Sequence, residues 1–394
     1  MTSFEWARRV WLRGFRLGVL ACALFCLAGA DVARSENVIL FIGDGMGFEQ
    51  VKAAEFYNGV PLSFGDLLFT ADCTTYSATS EITDSAAAGT AIATGVKVNN
   101  GVISLAQPGD GRELETILEF YQKRGKKVGL ITTAYLTHAT PAVFGAHETS
   151  RGNYTEIGQD YLTQTLPNIL FGGGGNGLDP VSAAAAGYAV ATSTAEFGAL
   201  STSDDYLCAL FGEAYLPYEV DYLSPNDYPY PHLTDMVVKA LAALESHPDG
   251  FFLMVEGARI DHAGHANLLP ECVHETLELS RAVQAALEWA SGRSDTTILL
   301  TADHETGGLT VTADNGPGVY PSVTWSSTGH TGVNVPVYAL GPNADLVFGT
   351  LDNTDFFDLF TAENTSSPIL SRVCADVIDE TTVEVVWSTD APAD

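Results

Sequence analysis

Several runs of apolar residues along the chain stop abruptly at glycine or polar residues, which is the pattern of strands buried inside a sheet. The segment Asn37-Val-Ile-Leu-Phe-Ile42 is one such run, and residues 127–132, 251–255, 297–301 and 335–340 repeat the pattern. Strands that are apolar at nearly every position are typical of parallel sheets, because such sheets are covered on both faces. These runs therefore predict the strands of a parallel sheet.

The segments between these runs carry apolar residues at helical spacing. This spacing predicts helices over about residues 111–125, 234–245 and 271–289. Helices and buried strands that alternate along a chain predict an α/β fold with an open, mainly parallel central sheet and helices on both of its faces. The stretch 201–231 is rich in Tyr, Pro and Asp, and we expect it to be a surface excursion of a single domain.

The first thirty residues have the pattern of a secretory signal. Four arginines precede an apolar run that is about half as long as a bilayer requires, and Ala28-Gly-Ala30 offers a small-residue cleavage site. An uncleaved anchor is the alternative. The pair Arg8 and Arg9 also resembles a twin-arginine signal. We therefore expect a signal peptide over 1–30, a single domain over 31–394, and a periplasmic or secreted bacterial protein.

Charge restricts the partners of the protein. The chain has 18 Lys and Arg residues against 49 Asp and Glu residues, a formal net charge of −31. Such an excess of carboxylates excludes nucleic acid as a partner, because few side chains could neutralise its phosphates. It also argues against stable association with an anionic membrane once a signal is removed. An acidic substrate would need metal ions or well-placed arginines to overcome the negative field.

Cysteine spacing gives no sign of a metal site. The cysteines beyond the signal are Cys73, Cys208, Cys272 and Cys374, too far apart for a Cys-x-x-Cys motif. Disulfides, with three pairings possible, and buried free thiols both fit these positions.

Acidic residues and histidines cluster just after the predicted strands. Asp44 follows the first strand, and Asp303-His304 follows the run 297–301. The segment from Glu256 to His265 holds two carboxylates and two imidazoles in ten residues. Because ligand sites of open α/β sheets lie at the carboxyl ends of the strands, these residues and the isolated His330 predict two metal sites with mixed nitrogen and oxygen ligands, a mixture that suits zinc.

Ser85 stands at the head of an alanine-rich segment, Thr83-Asp-Ser85-Ala-Ala-Ala-Gly-Thr, which favours a helix. A helix N-terminus stabilises an anion, so the Ser85 hydroxyl could be a nucleophile at this position. The alternative is that Ser85 or Asp84 only caps the helix. The sequence has no Gly-x-Ser-x-Gly elbow, which argues against a triad of the lipase type.

These segments occur in an order that resembles the alkaline phosphatase family, over about residues 36–360. The matching motifs are Asn37-Val-Ile-Leu-Phe-Ile-Gly-Asp44-Gly-Met-Gly, the Ser85 segment, Thr137-His138-Ala-Thr140-Pro-Ala through His147 to Arg151, Phe252-Leu-Met-Val-Glu256-Gly through His265, Thr301-Ala-Asp303-His304-Glu, and Gly329-His330-Thr-Gly.

The resemblance implies a metal-dependent phosphate monoester hydrolase, an alkaline phosphatase. Ser85 would be phosphorylated and dephosphorylated in each turnover, and Arg151 would grip two phosphate oxygens. The implied cofactors are two zinc ions and one magnesium ion. The family pattern implies Asp261, His265 and His330 for one zinc ion, Asp44, Asp303 and His304 for the other, and Asp44, Thr140 and Glu256 for magnesium.

Two departures from the common bacterial pattern concern His138 and His262. Histidine at both positions resembles the animal-type pattern, which implies weaker binding of magnesium, with His138 just outside the ligands. Only 25 residues separate His304 from His330, so we expect almost no crown domain. The family also implies a homodimer.

Two alternatives differ from a monoester hydrolase. A related two-metal enzyme, such as a phosphodiesterase, mutase or sulfatase, would share the fold, but Ser85 and Arg151 in their motifs favour monoester hydrolysis, and the Cys/Ser-x-Pro-x-Arg motif of sulfatases is absent from the sequence. A phosphate- or metal-scavenging protein would bind phosphate without turning over p-nitrophenyl phosphate.

Overall fold

The computed structural model describes residues 37–223 and 230–361, together with the backbone of three further strands. Ser35–Thr361 form one compact unit, and a second unit combines Met1–Arg34 with Ala362–Asp394. The signal peptide over 1–30 and the single domain over 31–394 stay predictions.

The elements alternate along the chain. The strands are β1 (Ala7–Arg13), β2 (Asn37–Gly43), β3 (Phe69–Thr74), β4 (Lys127–Tyr135), β5 (Ile169–Gly173), β6 (Ala189–Ala191), β7 (Leu207–Phe211), β8 (Phe251–Gly257), β9 (Thr296–Thr301), β10 (Glu305–Thr306), β11 (Leu309–Ala313), β12 (Ser322–Trp325), β13 (His330–Thr331), β14 (Val335–Leu340), β15 (Thr350–Asp352), β16 (Leu370–Asp379) and β17 (Thr382–Thr389). The α-helices are α1 (Phe48–Asn58), α2 (Ser85–Thr94), α3 (Ile117–Gln122), α4 (Ala139–Gly145), α5 (Tyr154–Asp160), α6 (Pro180–Ala185), α7 (Thr194–Ala199), α8 (Leu233–Leu244), α9 (Arg259–His265), α10 (Leu269–Ala290) and α11 (Asp355–Thr361). Short 3₁₀ turns span Ser63–Asp66, Glu219–Leu223 and Ala344–Leu346, and a π turn spans Tyr161–Thr165.

A central sheet of ten strands, in the order β15-β3-β14-β9-β2-β8-β4-β5-β7-β6, organises the unit Ser35–Thr361. Strand β2 pairs in parallel with β8 on one side and β9 on the other, and every residue of β2 is buried. Strand β14 is antiparallel to both of its neighbours, β3 and β9. The predicted open and mainly parallel sheet is thus confirmed. In the second unit, β17 lies between β1 and β16 in an antiparallel sheet.

Two groups of helices pack on the central sheet. Helix α10 contacts α1, α8 and the strands β2, β8 and β9. Helices α2, α3, α4 and α11 contact one another, and α3 and α4 also contact β4 and β8. The apolar strands are therefore covered by helices, as their composition predicts.

Two sequence-based predictions are wrong: the start of one helix and the extent of the surface excursion. Helix α3 begins at Ile117, well after residue 111, because the Thr116 hydroxyl accepts from the Glu119 N–H while the Glu119 carboxylate accepts from the Thr116 N–H. This capping box fixes the start of the helix. The stretch 201–231 is also not wholly a surface excursion, because its apolar run forms the buried strand β7 between β5 and β6.

The cysteines with described side chains are buried free thiols, at Cys73, Cys208 and Cys272. Burial raises the pKa of each of these thiols, which makes them unreactive. The side chain of Cys374 lies outside the described residues. Among the helices of the described residues, none has both the length and the apolar character that a membrane span requires.

Candidate active site

The carboxyl ends of the central strands bring the predicted site residues to one edge of the sheet. In the parallel register, Ile42 pairs with both Glu256 and Thr301. Asp44 therefore emerges beside the end of β8, and Asp303 emerges beside the end of β9. Because all three strands are hydrogen-bonded on both sides, their ends form a rigid support for these side chains.

A first triad of side chains that could hold a metal ion consists of Asp261, His265 and His330. Asp261 and His265 are one turn apart on α9, so both side chains leave the same face of that helix. The Nε2 atoms of His265 and His330 lie 3.1 Å apart. Asp261 Oδ1 lies 3.3 Å from His265 Nε2 and 3.5 Å from His330 Nε2.

Backbone carbonyls orient both imidazole rings of the first triad. His265 Nδ1 lies 2.6 Å from the Thr328 carbonyl oxygen, and His330 Nδ1 lies 2.8 Å from the Thr83 carbonyl oxygen. Because a carbonyl can only accept, each Nδ1 carries a proton, and the Nε2 of each ring in its neutral form presents a lone pair. Two lone pairs and the Asp261 carboxylate repel one another at these distances, so this triad fits a cation bound among its three donors.

A second triad consists of Asp44, Asp303 and His304. His304 Nε2 lies 3.2 Å from Asp303 Oδ2 and 3.6 Å from Asp44 Oδ1. Asp303 Oδ1 accepts from the backbone N–H groups of Gly45 and His304, which fixes the carboxylate. Both side-chain oxygens of Asp44 are buried without a hydrogen-bond partner. A buried carboxylate without donors is costly, so the second triad also fits a cation.

A third group of donors shares Asp44 and adds Glu256 and His138. One ring nitrogen of His138 lies within 4.8 Å of carboxylate oxygens of Asp44 and Glu256. Thr140, the ligand expected from the sequence, is buried on α4, and its hydroxyl has no hydrogen-bond partner. His138 thus lies beside Asp44 and Glu256, whereas His262 belongs to none of the three groups, and its ring centroid lies 4.3 Å from that of Tyr215.

Burial dominates the electrostatics of these donors. It raises the pKa of Asp44 well above the ordinary value, and the charge of Asp303 adds to the effect. Burial likewise raises the pKa of Asp303 and Glu256 and lowers the pKa of His304. A metal ligand must be an ionised carboxylate or a neutral imidazole. A divalent cation would offset the cost of the buried carboxylate charges, and burial already keeps His304 neutral.

Ser85 is the first residue of α2, and it lies beside the second triad. Its Oγ is 3.3 Å from His304 Nε2. The residue that caps α2 is Asp84, whose Oδ1 accepts from the Ala87 N–H at 3.0 Å. Asp84 thus performs the capping, and the Ser85 hydroxyl faces His304 of the second triad.

Arg151 reaches the same region from the loop after α4. Its Nη1 lies 3.0 Å from Asp84 Oδ2, and its Nη2 lies 3.3 Å from His138 Nε2. Its backbone N–H donates to the Gly101 carbonyl at 2.7 Å. Burial, the largest single influence, lowers the pKa of Arg151, but the charge and hydrogen bond of Asp84 and the charges of Asp44 and Asp303 together outweigh burial and raise it. With 30% of its side chain exposed, the guanidinium can still contact a ligand.

Two threonines that the sequence did not predict orient the donors. Thr132 donates to Glu256 Oε2, and Thr306 donates to Asp261 Oδ1 at 2.5 Å. Both stand inside or next to motifs that were recognised, at the end of a predicted strand and after Asp303-His304. Their hydroxyl contacts depend on the packing of distant segments, which no local pattern reveals.

A fourth group, Glu219, His232 and Glu278, also has metal-ligating atoms close together. His232 Nδ1 pairs with Glu219 Oε2 at 2.8 Å. Glu278 accepts from the Thr234 N–H and from Arg281. Hydrogen bonds and ion pairs among these residues account for the group without a metal ion.

Comparisons with known proteins identify the family of the chain. The family model for alkaline phosphatase matches residues 35–200 and 181–324 of the chain. Alkaline phosphatase 3 of Bacillus subtilis is 30% identical over 81% of this chain and 87% of that protein. The cold-active alkaline phosphatase of the psychrophile Shewanella sp. has a TM-score of 0.74 and 28% identity, covering 82% of this chain and 98% of that one.

A mutant of the TAB5 alkaline phosphatase, solved with magnesium bound, has a TM-score of 0.74 and 26% identity, covering 84% of this chain and 98% of that one. The family model alone covers more than half of the chain, from the first strand of the central sheet to beyond the second triad. The chain therefore belongs to the alkaline phosphatase family, the members of which are phosphoric monoester hydrolases.

Proposed function

We propose that the protein hydrolyses phosphate monoesters through a phosphoserine formed on Ser85. The observation that carries the proposal is the 3.3 Å distance between Ser85 Oγ and His304 Nε2, which puts the hydroxyl at the edge of a metal-binding triad. Asp84, not Ser85, caps helix α2, and the guanidinium of Arg151 lies 3.0 Å from the Asp84 carboxylate. A nucleophile and a phosphate-binding cation are thus supported by one residue.

The proposed cofactors are two zinc ions and one magnesium ion. Asp261, His265 and His330 would hold one zinc ion, and Asp44, Asp303 and His304 would hold the other, because nitrogen and oxygen donors suit zinc. Asp44, Thr140 and Glu256 would hold magnesium, which prefers oxygen, and the TAB5 mutant is described with magnesium bound. When bound, the zinc ions would lower the pKa of a hydroxyl or water and offset negative charge on the ester.

The protein's own side chains would perform two displacements. Arg151 binds two oxygens of the phosphoryl group and holds its phosphorus against Ser85. Ser85 Oγ then forms a bond to phosphorus, the bond to the leaving oxygen breaks, and the serine proton goes through solvent to the departing alcohol. In the second step, water attacks phosphorus and the bond to Ser85 Oγ breaks. A proton of that water passes through solvent to Oγ and restores the serine hydroxyl, and inorganic phosphate leaves.

Labelling of the serine tests the proposal. Protein turning over a substrate with a labelled phosphoryl group is quenched in acid, and the label is located by peptide mapping. We expect the label on Ser85, and the Ser85→Ala variant should lose both the label and most of the activity. Ser63→Ala, which removes a hydroxyl that bonds to Ser280 far along the chain, is the control. Unlabelled Ser85 and a fully active Ser85→Ala variant would refute the proposal.

We also propose that the protein is exported to the periplasm or secreted and works as a homodimer. The basic and apolar pattern of residues 1–30 and the cleavage site at Ala28-Gly-Ala30 support export. The dimer rests on the family alone. Sequencing of the mature N-terminus should start near Asp31, whereas a retained Met1 would contradict cleavage. Sedimentation should give twice the mass of one chain.

A further inference from the structure

We propose that Thr306 is a positioning residue that couples the two triads through a single hydroxyl. Thr306 Oγ1 lies 2.5 Å from Asp261 Oδ1, in the first triad, and 3.3 Å from His304 Nδ1, in the second. The hydroxyl thus bridges ligands of both proposed zinc ions. The inference deepens the proposed function and rests on it, because the triads must hold metal for the coupling to matter.

The donor and the acceptor in each of the two contacts of Thr306 Oγ1 follow from the groups involved. The Asp261 carboxylate can only accept, so the single hydroxyl proton of Thr306 is donated to it. Thr306 Oγ1 is then left as an acceptor toward His304 Nδ1, which must carry the ring proton. This choice of tautomer leaves a lone pair on His304 Nε2, the atom that faces Asp303 Oδ2 at 3.2 Å.

Tight packing holds the hydroxyl in place. The Thr306 N–H donates to the Gly45 carbonyl at 3.1 Å, and the Gln50 side chain donates to the Thr306 carbonyl at 2.9 Å. A Cβ atom on Gly45 would lie 2.7 Å from Asp261 Cα and 3.0 Å from Thr306 Oγ1. A Cβ atom on Gly264 would lie 2.8 Å from the Thr306 carbonyl oxygen. The two glycines therefore allow the close approach that the bridge needs.

Loss of the hydroxyl should weaken both triads together. Without it, His304 has no acceptor at Nδ1 among the contacts described above, and its ring can adopt the other tautomer or turn. Asp261 loses the donor that fixes its Oδ1. Because partners of metal ligands typically contribute 10- to 100-fold to metal affinity, we expect a loss of that size at each triad.

The test compares Thr306→Val, which keeps the shape and removes the hydroxyl, with Thr306→Ser, which keeps the hydroxyl. Thr297→Val is the matched control. Thr297 is a buried threonine of β9, and its hydroxyl donates to the Pro342 carbonyl. Zinc-loaded proteins are titrated with a chelator, and the zinc retained at each site is measured. Thr306→Ala is made in parallel, so that the comparison with serine stands if valine does not fit.

We expect Thr306→Val to lose both zinc ions at about 10- to 100-fold lower chelator concentration, and Thr306→Ser and Thr297→Val to resemble the parent. The inference would be overturned if both Thr306→Val and Thr306→Ala retained zinc as the parent does. A loss of zinc from only one triad would overturn it as well. If the parent itself retains no zinc, the proposed cofactors are wrong. The His304 tautomer, measured by ¹⁵N NMR on the same proteins, then decides the inference: a proton on Nδ1 in the parent but not in Thr306→Val supports it, and any other result overturns it.

Discussion

Asp84 holds the Arg151 guanidinium at 3.0 Å and at the same time caps the helix that begins with Ser85. Its Oδ1 accepts from the Ala87 N–H, and both of its oxygens accept from the Gly101 N–H at 3.0 Å. One carboxylate therefore fixes the distance between the proposed nucleophile and the proposed phosphate-binding cation. The helix cap is thus Asp84, and the nucleophile hypothesis for the adjacent Ser85 stays a prediction.

Replacing Asp84 with alanine should weaken both stability and phosphate binding. The lost cap should lower the free energy of unfolding by about 0.5–2 kcal/mol. Loss of the partly exposed ion pair should raise the inhibition constant of inorganic phosphate by up to about 5-fold, which corresponds to about 1 kcal/mol. Denaturant unfolding and product-inhibition assays measure the two effects.

Asp179→Ala is the matched control, because Asp179 caps α6 by accepting from the N–H groups of Val181 and Ser182. It should lower stability without a change in the phosphate inhibition constant. If Asp84→Ala and Asp179→Ala had the same phosphate affinity, Asp84 would be a cap alone.

Arg151 should be replaceable neither by alanine nor by lysine. Removal of a charge-assisted hydrogen-bonding group costs about 1.5–3 kcal/mol, so Arg151→Ala should lower kcat/KM by about 10- to 150-fold. Arg151→Lys keeps the charge but not the planar fork, and it should fall between Arg151→Ala and the parent. Hydrolysis of p-nitrophenyl phosphate measures both, with Arg293→Ala as a control at an ion pair with Glu245. A fully active lysine variant would contradict two-point binding of phosphate.

The sequence was most informative about the buried strands and about the polar residues that directly follow them. The run Val335-Pro-Val-Tyr-Ala-Leu340 predicted β14 with its correct bounds, and Asp44 and Asp303 were placed at one sheet edge because parallel strands end together. The antiparallel direction of β14 could not be predicted, because a buried strand has the same apolar pattern in either direction. Strand β7 was missed, because the Tyr- and Pro-rich residues around Leu207–Phe211 dominate the composition of that stretch.

Contacts between distant segments account for most of what the sequence analysis missed in the site. The Thr306 hydroxyl meets Asp261 only because β10 packs against α9. His138 meets Asp44 and Glu256 only because α4 packs on β8. Residue types and spacing identify candidates for each triad, whereas the partners that orient these candidates depend on the assembled core.

His138 offers a test of the third group. His138→Asp would add an ionised oxygen donor next to Asp44 and Glu256, where the chain now has an imidazole. Because magnesium prefers oxygen and affinity rises with the number of charged ligands, magnesium should bind about tenfold more tightly. The magnesium concentration that gives half of the thermal stabilisation measures the affinity.

The neutral variant His138→Asn is the matched control, since it places an amide of similar size at the same position. It should bind magnesium more weakly than His138→Asp. Equal magnesium affinity in the parent, His138→Asp and His138→Asn would mean that residue 138 does not contribute to the third group.

Glu275 gives a prediction that does not depend on the metal-binding residues. Its side chain on α10 is almost fully buried, and its Oε1 accepts from the Glu219 N–H at 2.8 Å. Burial, helped by the charge of Glu219, raises the pKa of Glu275 from an ordinary 4.5 to about 8. The folded protein therefore keeps a proton on Glu275 at neutral pH, and the unfolded chain releases it.

A carboxyl group with a raised pKa in the folded state stabilises the protein below its unfolded pKa, and this contribution is lost as pH rises toward the folded pKa. Between the two values, the folded state binds one proton more than the unfolded state, so stability falls by up to about 1.4 kcal/mol per pH unit. Glu275→Gln keeps the amide-oxygen acceptor for the Glu219 N–H and cannot ionise. Its free energy of unfolding, relative to the parent, should therefore increase steadily from pH 5.5 to 7.5.

Urea unfolding of Glu275→Gln and the parent at each pH measures this difference, and subtraction at equal metal concentration removes contributions that both proteins share. Glu288→Gln, at an exposed position of the same helix, is the control for the removal of one carboxylate. A difference between Glu275→Gln and the parent that stays constant from pH 5.5 to 7.5 would show that Glu275 is ionised in the folded state. In that case a cation must stabilise its charge, and the candidate is Arg259, whose charge lowers the pKa of Glu275.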